Sequence, residues 1–118
     1  MNMSKGITRN QAKRMVGPGW SSIIDKIYDN ITSECYVMQV KEKWGYLHFY
    51  TGGLTPEEEA VIDAAEKESC ITCEDCGGLG TLRSDLPWVL TLCDSHYKDA
   101  LEKLNQDYKK ALDFLNKM

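Results

Sequence analysis

Cys73-Glu74-Asp75-Cys76-Gly77-Gly78 and, with sixteen residues between Cys76 and Cys93, Cys93-Asp94-Ser95-His96 are the stretches on which the fold turns. Two pairs of soft donors, each separated by two residues, can supply the four tetrahedral ligands that zinc prefers. Gly77 and Gly78 let the backbone turn tightly behind the first pair. Asp94 can cap a terminal helix, which places Cys93 just before that helix and His96 in its first turn. Between the pairs, Thr81-Leu82-Arg83 and Trp88-Val89-Leu90-Thr91-Leu92 predict a small hairpin around Ser84 to Pro87. Knuckle, hairpin and helix start, in that order, define a treble-clef-like zinc module. Four protein ligands leave no position for water, so the expected ion is structural Zn2+, coupled to folding by on the order of 10 kcal/mol. Cys70-x2-Cys73 has the same spacing, so Cys70 can replace Cys76 or His96; its other reading is a thiol beside the site. Cys35 opens a predicted strand and reads as an inert core thiol.

Upstream of the module the chain is patterned as a small α+β domain. Thr8-Arg9-Asn10-Gln11 fits a capping box for a short helix over 8–16, stopped by Gly17-Pro18-Gly19. Trp20, Ile23, Ile24, Ile27, Tyr28 and Ile31 recur at helical spacing and predict a second helix. Residues 35–43 and 46–51 are strand-rich and bracket Trp44-Gly45, which reads as a two-residue hairpin turn. Thr55, Pro56 and Glu58 start a third helix over 56–69, expected to bury Ala60, Val61, Ala64 and Ala65.

In the last helix Tyr97, Leu101, Leu104, Tyr108, Ala111 and Leu115 follow a heptad seam. Its first expectation is packing against the body, its second a homodimer. The organisation is one domain over 1–118: an N-terminal extension (1–19), a helix–hairpin–helix (20–69), the zinc module (70–96) and the C-terminal helix (94–117).

The hairpin register sorts its side chains. With Trp44-Gly45 at the turn, Lys43 pairs with Tyr46, Glu42 with Leu47, Lys41 with His48, Val40 with Phe49 and Gln39 with Tyr50. Met38, Val40, Leu47 and Phe49 then point inward. Gln39, Lys41, Lys43, Tyr46, His48 and Tyr50 share the other face, a candidate surface for an anionic or aromatic partner, with Arg83 and Trp88 as further contributors. A solvated amphipathic surface is the alternative.

Composition bounds the function classes. The 118 residues carry a formal net charge of −4, with seven basic and four acidic side chains in 1–50 against seven and fourteen in 51–118. That balance argues against a broad phosphate-binding surface, so nucleic acid is the least favoured binding partner. Five cysteines, an odd number, do not suit a secreted disulfide framework, and Met1 to Arg14 have no signal-peptide core. No apolar run approaches a membrane span, so a cytoplasmic protein is expected. A zinc deaminase needs a His-x-Glu element, but His48 is followed by Phe49 and Tyr50. No catalytic residues are assigned.

Lys41-Glu42-Lys43-Trp44-Gly45-Tyr46-Leu47-His48-Phe49-Tyr50, then Ala65-Glu66 and Ser69, then Cys73-Glu74-Asp75-Cys76-Gly77 and Thr91-Leu92-Cys93-Asp94-Ser95-His96 resemble a group of small phage and prophage zinc-binding proteins. The pattern reads K-E-K-F-G-x-L-R-F-Y, A-E-x-x-S, C-E-x-C-G and T-L-C-x-x-H, and covers roughly Trp20 to His96. Trp44 stands in place of the pattern's other aromatic and His48 in place of its arginine. Cys70 lies outside the pattern. The resemblance implies a viral context, hence the host cytoplasm, and a zinc module without an assigned activity. Three functions are therefore expected in turn: non-catalytic binding and inhibition of a host or defence protein, sequestration of an anionic nucleotide-like ligand, and nucleic-acid binding.

Overall fold

The computed structural model describes residues 4–118, with side chains described from Gly6 onward. Residues 1–3 of the predicted N-terminal extension lie outside the described residues. The chain is α+β, as its patterning predicts. In order it forms β1 (Ser4–Gly6), α1 (Arg9–Arg14), a 3-10 turn (Pro18–Trp20), α2 (Ser21–Asn30), β2 (Cys35–Lys43), β3 (Tyr46–Gly52), α3 (Pro56–Ser69), β4 (Thr81–Arg83), β5 (Leu90–Leu92) and α4 (Asp94–Asn116). Two sheets result, one ordered β1-β2-β3 and one made of β4 and β5.

Residues 4–19 are built into the body. β1 pairs with β2 in parallel, and Tyr28 donates its hydroxyl proton to the Ile7 carbonyl at 2.8 Å. The Thr8 capping box is present and starts α1. This short helix is tied to α2 by Arg9, which meets Asp25 at 2.8 Å and Asp29 at 2.7 Å, and by Lys13, 2.8 Å from Asp25. Such half-exposed pairs contribute little individually, but they orient α1 over the buried Ala12.

The core lies between α2, α3 and the first sheet. All six predicted positions of the second helix, Trp20, Ile23, Ile24, Ile27, Tyr28 and Ile31, are buried. They meet Cys35, Val37, Val40, Leu47 and Phe49 from the sheet and Ile62 and Ala65 from α3. Each large apolar side chain removed from water stabilises the fold by about 1.5–3 kcal/mol before entropy is counted.

The hairpin follows the predicted register from Lys43↔Tyr46 through Gln39↔Tyr50. Trp44 and Gly45 both have positive φ, 59° and 85°, the handedness that matches the twist of a two-residue hairpin. Met38 corrects the expectation. The register shifts between Val37 and Gln39, so this bulge adds one residue and reverses the parity behind it. Val37 and Cys35 take the inward positions, and Met38 is 58% exposed.

α3 begins at the predicted Thr55 capping box, but its buried face differs from the expected one. Ala65 is buried as predicted; Ala60 and Ala64 are exposed, Val61 is half-buried, and the remaining buried positions are Glu58, Ile62 and Ser69. The helix is turned by hydrogen bonds that an apolar stripe does not reveal. Glu58 accepts from the Thr32 and Ser33 amides at 2.8 and 3.1 Å and from the Ser33 hydroxyl. Ser69 accepts from the Leu47 amide at 2.8 Å, and Glu66 from the Phe49 amide at 3.0 Å. These β3 amides point away from β2, so α3 satisfies the donors that an edge strand otherwise leaves open.

α4 corrects the first expectation for the heptad helix. None of its residues is buried, and it extends a molecule with principal dimensions of 59 × 28 × 19 Å. Among the described residues, no helix is long and apolar enough to cross a membrane.

Candidate metal centre

The first pair of donors lies in the turn that follows α3. Cys70 ends that helix; the chain then makes an isolated bridge between Thr72 and Leu79. Inside this loop the Cys73 amide donates to the Gly78 carbonyl at 2.8 Å, and the Gly77 amide to the Cys73 carbonyl at 2.9 Å. Gly77 has φ 82°, a conformation that glycine adopts without steric cost. The second pair belongs to α4. Cys93 is the helix N-cap, its sulfur accepting from the His96 amide at 3.4 Å. One turn of helix thereby sets His96 beside Cys93.

These constraints converge. The ligand atoms of Cys73, Cys76, Cys93 and His96 all lie within 4.8 Å of one another. Cys76 Sγ is 3.9 Å from Cys93 Sγ, Cys73 Sγ 3.7 Å from His96 Nδ1, and Cys93 Sγ 3.1 Å from the same nitrogen. A tetrahedron with bonds of about 2.3 Å to sulfur and about 2.1 Å to nitrogen has edges of roughly 3.6–3.8 Å. The four side chains therefore fit a metal ion, with three thiolates and one imidazole as its complete ligand set. The Gly78 amide, 3.4 Å from Cys76 Sγ, joins the His96 amide in donating to the sulfurs. Cys70 is exposed, its thiol directed at the Glu66 carbonyl at 3.5 Å; it is not in the quartet.

Electrostatics favour the ligand form at Cys73, while at Cys76 the Gly78 amide is outweighed by the neighbouring thiols of Cys73 and Cys93, which hold it raised. Burial alone would raise the Cys73 thiol, but the amides of Cys93, Cys76 and Asp75 bring it down to about 7. Contact with Cys93 raises the His96 imidazole. A cation at the centre would reverse that preference and leave Nδ1 free to bind it.

The quartet is joined to the rest of the molecule through backbone groups that sequence reading overlooked. Gly17 and Gly19, read there as a helix stop, lie against the knuckle. The Gly19 amide donates to the Glu74 carbonyl at 2.7 Å, and a Cβ on Gly19 would stand 2.1 Å from the Cys73 oxygen. Trp20 Nε1 donates to the Thr72 carbonyl at 2.9 Å. Glu74 bonds to Thr91 through its own amide, at 2.9 Å, and through its carboxylate, at 2.8 Å. Burial pushes that carboxyl up to about 7 against the Thr91 amide, with Glu42 and Asp75 adding to the rise. Thr91 in turn donates its hydroxyl proton to the Gly45 carbonyl at 2.6 Å. The signal for this set was the pair of glycines around Pro18, since close backbone approach is a second reason for glycine.

The six predicted hairpin-face residues come together on the face away from the core. Lys41 pairs with His48, Lys43 with Tyr46 and Gln39 with Tyr50. Tyr46, His48 and Tyr50 form a row, with ring centroids 4.3 and 6.2 Å apart. His48 Nε2 lies 3.1 Å from the Lys43 carbonyl. A carbonyl only accepts, so Nε2 donates to it, and Nδ1 lies 3.4 Å from the Tyr50 hydroxyl. Arg83 and Trp88 do not join this face. Arg83 donates to the Leu92 carbonyl at 3.1 Å and to Asp94 at 2.7 Å, and its guanidinium sits 4.3 Å over the Tyr97 ring. That side chain fastens the start of α4 to β5. Trp88 is 75% exposed and lines a groove against α4.

No family model matches this chain, and neither does any curated protein or solved structure.

Proposed function

We propose that this chain is a non-catalytic, zinc-stabilised binding protein of phage type that uses its outer sheet face to engage and modulate a host protein in the host cytoplasm. The observation that carries the reading is the Cys73–Cys76–Cys93–His96 quartet and its connection, through Glu74 and Thr91, to the hairpin tip at Gly45. Three thiolates and an imidazole suit zinc among the common divalent ions. A full protein ligand set has no corner for an activated water, so the ion acts as a clamp. Holding two β-hairpins in one orientation fixes the surface carrying Lys41, Lys43, Tyr46, His48 and Tyr50. Tyrosines in a rigid row offer large contact area at low conformational cost, as protein-binding surfaces require.

Two observations favour a protein over a nucleotide-like ligand. Arg83 is engaged by Asp94 and Tyr97, which removes one expected phosphate contact. His48 has both ring nitrogens engaged within the row, by the Lys43 carbonyl and the Tyr50 hydroxyl, so Lys41 and Lys43 are what that face offers a phosphate. The resemblance to small phage zinc proteins supports the viral setting. The test is affinity capture from host lysate with zinc-loaded protein, wild type against Tyr46→Ala/Tyr50→Ala. A stoichiometric host protein retained by the wild type and lost by the variant supports the reading, provided both bind one zinc. Equal retention by both, or calorimetric nucleotide binding abolished by Lys41→Ala, overturns it.

A further inference from the structure

We propose that Cys76 and Cys93 are a peroxide-sensitive pair: a hydroperoxide oxidises them to a disulfide, and the quartet gives up its metal ion in exchange for a covalent link between the knuckle and α4. The inference rests on the reading of the quartet as a filled metal site and adds its regulation. It does not depend on what covers the hairpin.

The three thiols of the quartet differ in what can reach them. Cys73 is 0% exposed, whereas Cys76 is exposed and Cys93 half-buried. Cys76 belongs to the loop 75–79, in which every residue is exposed. An oxidant in solution therefore meets Cys76 first, because sulfur oxidation follows exposure. The Cys93 sulfur lies 3.9 Å from that of Cys76. A disulfide bond is about 2.05 Å long, so the two sulfurs must close by roughly 1.9 Å. The loop has to supply this movement, since Cys93 is held in place. It caps α4, and Arg83 grips the residues on either side of it, the Leu92 carbonyl at 3.1 Å and Asp94 at 2.7 Å.

The other thiols are poorer partners for Cys76. Cys73 is shut off from solvent, and its peptide groups are fastened to Gly78 at 2.8 Å and Gly77 at 2.9 Å. Cys70 points at the Glu66 carbonyl on α3, at 3.5 Å.

Oxidation proceeds in two steps that balance between the sulfurs and the oxidant. The Cys76 thiolate attacks hydrogen peroxide: an S–O bond forms, the O–O bond breaks and hydroxide leaves, giving a sulfenic acid. The Cys93 thiolate then attacks the Cys76 sulfur: the S–S bond forms, the S–O bond breaks and a second hydroxide leaves. Two electrons pass from the sulfurs to the peroxide, and solvent protons turn both hydroxides into water. Cys73 and His96 remain as donors, two where a tetrahedral ion needs four. The new link joins the same segments that the quartet joins, so the module exchanges one clamp for another and α4 stays attached.

The test treats zinc-loaded full-length protein with excess hydrogen peroxide. Released zinc is followed with a chromogenic chelator, free thiols by alkylation, and linkages by mass mapping without reduction. One zinc ion lost per disulfide formed, a Cys76–Cys93 linkage and a Cys73 thiol still open to alkylation are expected. Cys70→Ser should release zinc at an unchanged rate, and dithiothreitol with added zinc should restore the starting metal content. Protein that holds no stoichiometric zinc before treatment overturns the metal reading and this inference together. Zinc bound beforehand and retained while the exposed Cys70 is oxidised overturns this inference alone. So does a Cys73–Cys76 linkage, release that requires Cys70, or release with sulfinic acid and no disulfide.

Discussion

Replacing Gly19 with alanine tests whether the metal knuckle and the helical body form one cooperative unit. A Cβ at this position would lie 2.1 Å from the Cys73 oxygen, 2.6 Å from the Gly77 nitrogen and 2.7 Å from the Glu74 carbonyl carbon. All three are backbone atoms, so no side chain can rotate away, and the knuckle must retreat by about 1 Å to restore contact distance. Overpacking of this kind costs about 1–3 kcal/mol. The retreat also stretches the bond from the Gly19 amide to the Glu74 carbonyl, 2.7 Å long, a further ~0.5–1.5 kcal/mol. Gly19→Ala is therefore expected to destabilise the metal-loaded protein by roughly 2–4 kcal/mol. Because Cys73 and Gly77 belong to the ligand loop, the variant should also release its metal to a competing chelator more readily. Urea denaturation with and without bound metal measures both effects. Gly52→Ala is the control, since nothing lies within 4 Å of its Cβ. If Gly19→Ala stays within about 0.5 kcal/mol of wild type in the metal-loaded state, the close approach does not hold the knuckle and the reasoning fails.

Ser69→Ala leaves the buried Leu47 amide without its acceptor, and a loss of about 1–3 kcal/mol in chemical denaturation is expected. Cys76→Ser should abolish one-to-one metal binding, whereas Cys70→Ser should keep it; elemental analysis of tag-free protein after dialysis distinguishes them. The Ser33 hydroxyl, with the amides of Thr55, Ser33 and Thr32, lowers the Glu58 carboxyl from 4.5 to about 2. Its contribution is then fully present above pH 4.5 and is lost as pH falls toward 2. The melting difference between wild type and Glu58→Gln should shrink across that interval. A difference that stays constant down to pH 2 refutes the assignment.

The metal quartet and the hairpin register were legible in the sequence because each rests on a local rule. Ligand spacing reflects coordination chemistry, and a two-residue turn fixes every pair up to the first irregularity. The bulge at Met38 was that irregularity. It has no composition signature, and it exchanges Met38 for Val37 on the core side. α3 was misjudged in rotation because its orientation depends on Glu58, Glu66 and Ser69 reaching backbone amides of distant segments. An apolar stripe of alanines could not outweigh those bonds. Arg83 looked like a free cation because Asp94 and Tyr97, which engage it, are only brought near by the β4–β5 hairpin. Gly17 and Gly19 had two meanings, chain reversal and close approach, and only the fold selects between them.

The pairing of the Leu47 and Phe49 amides with Ser69 and Glu66 limits how this sheet can grow. An extended peptide approaching β3 finds two of its donors already engaged by α3, so strand addition there must first break bonds to the helix. Runaway stacking of copies through that border is disfavoured for the same reason.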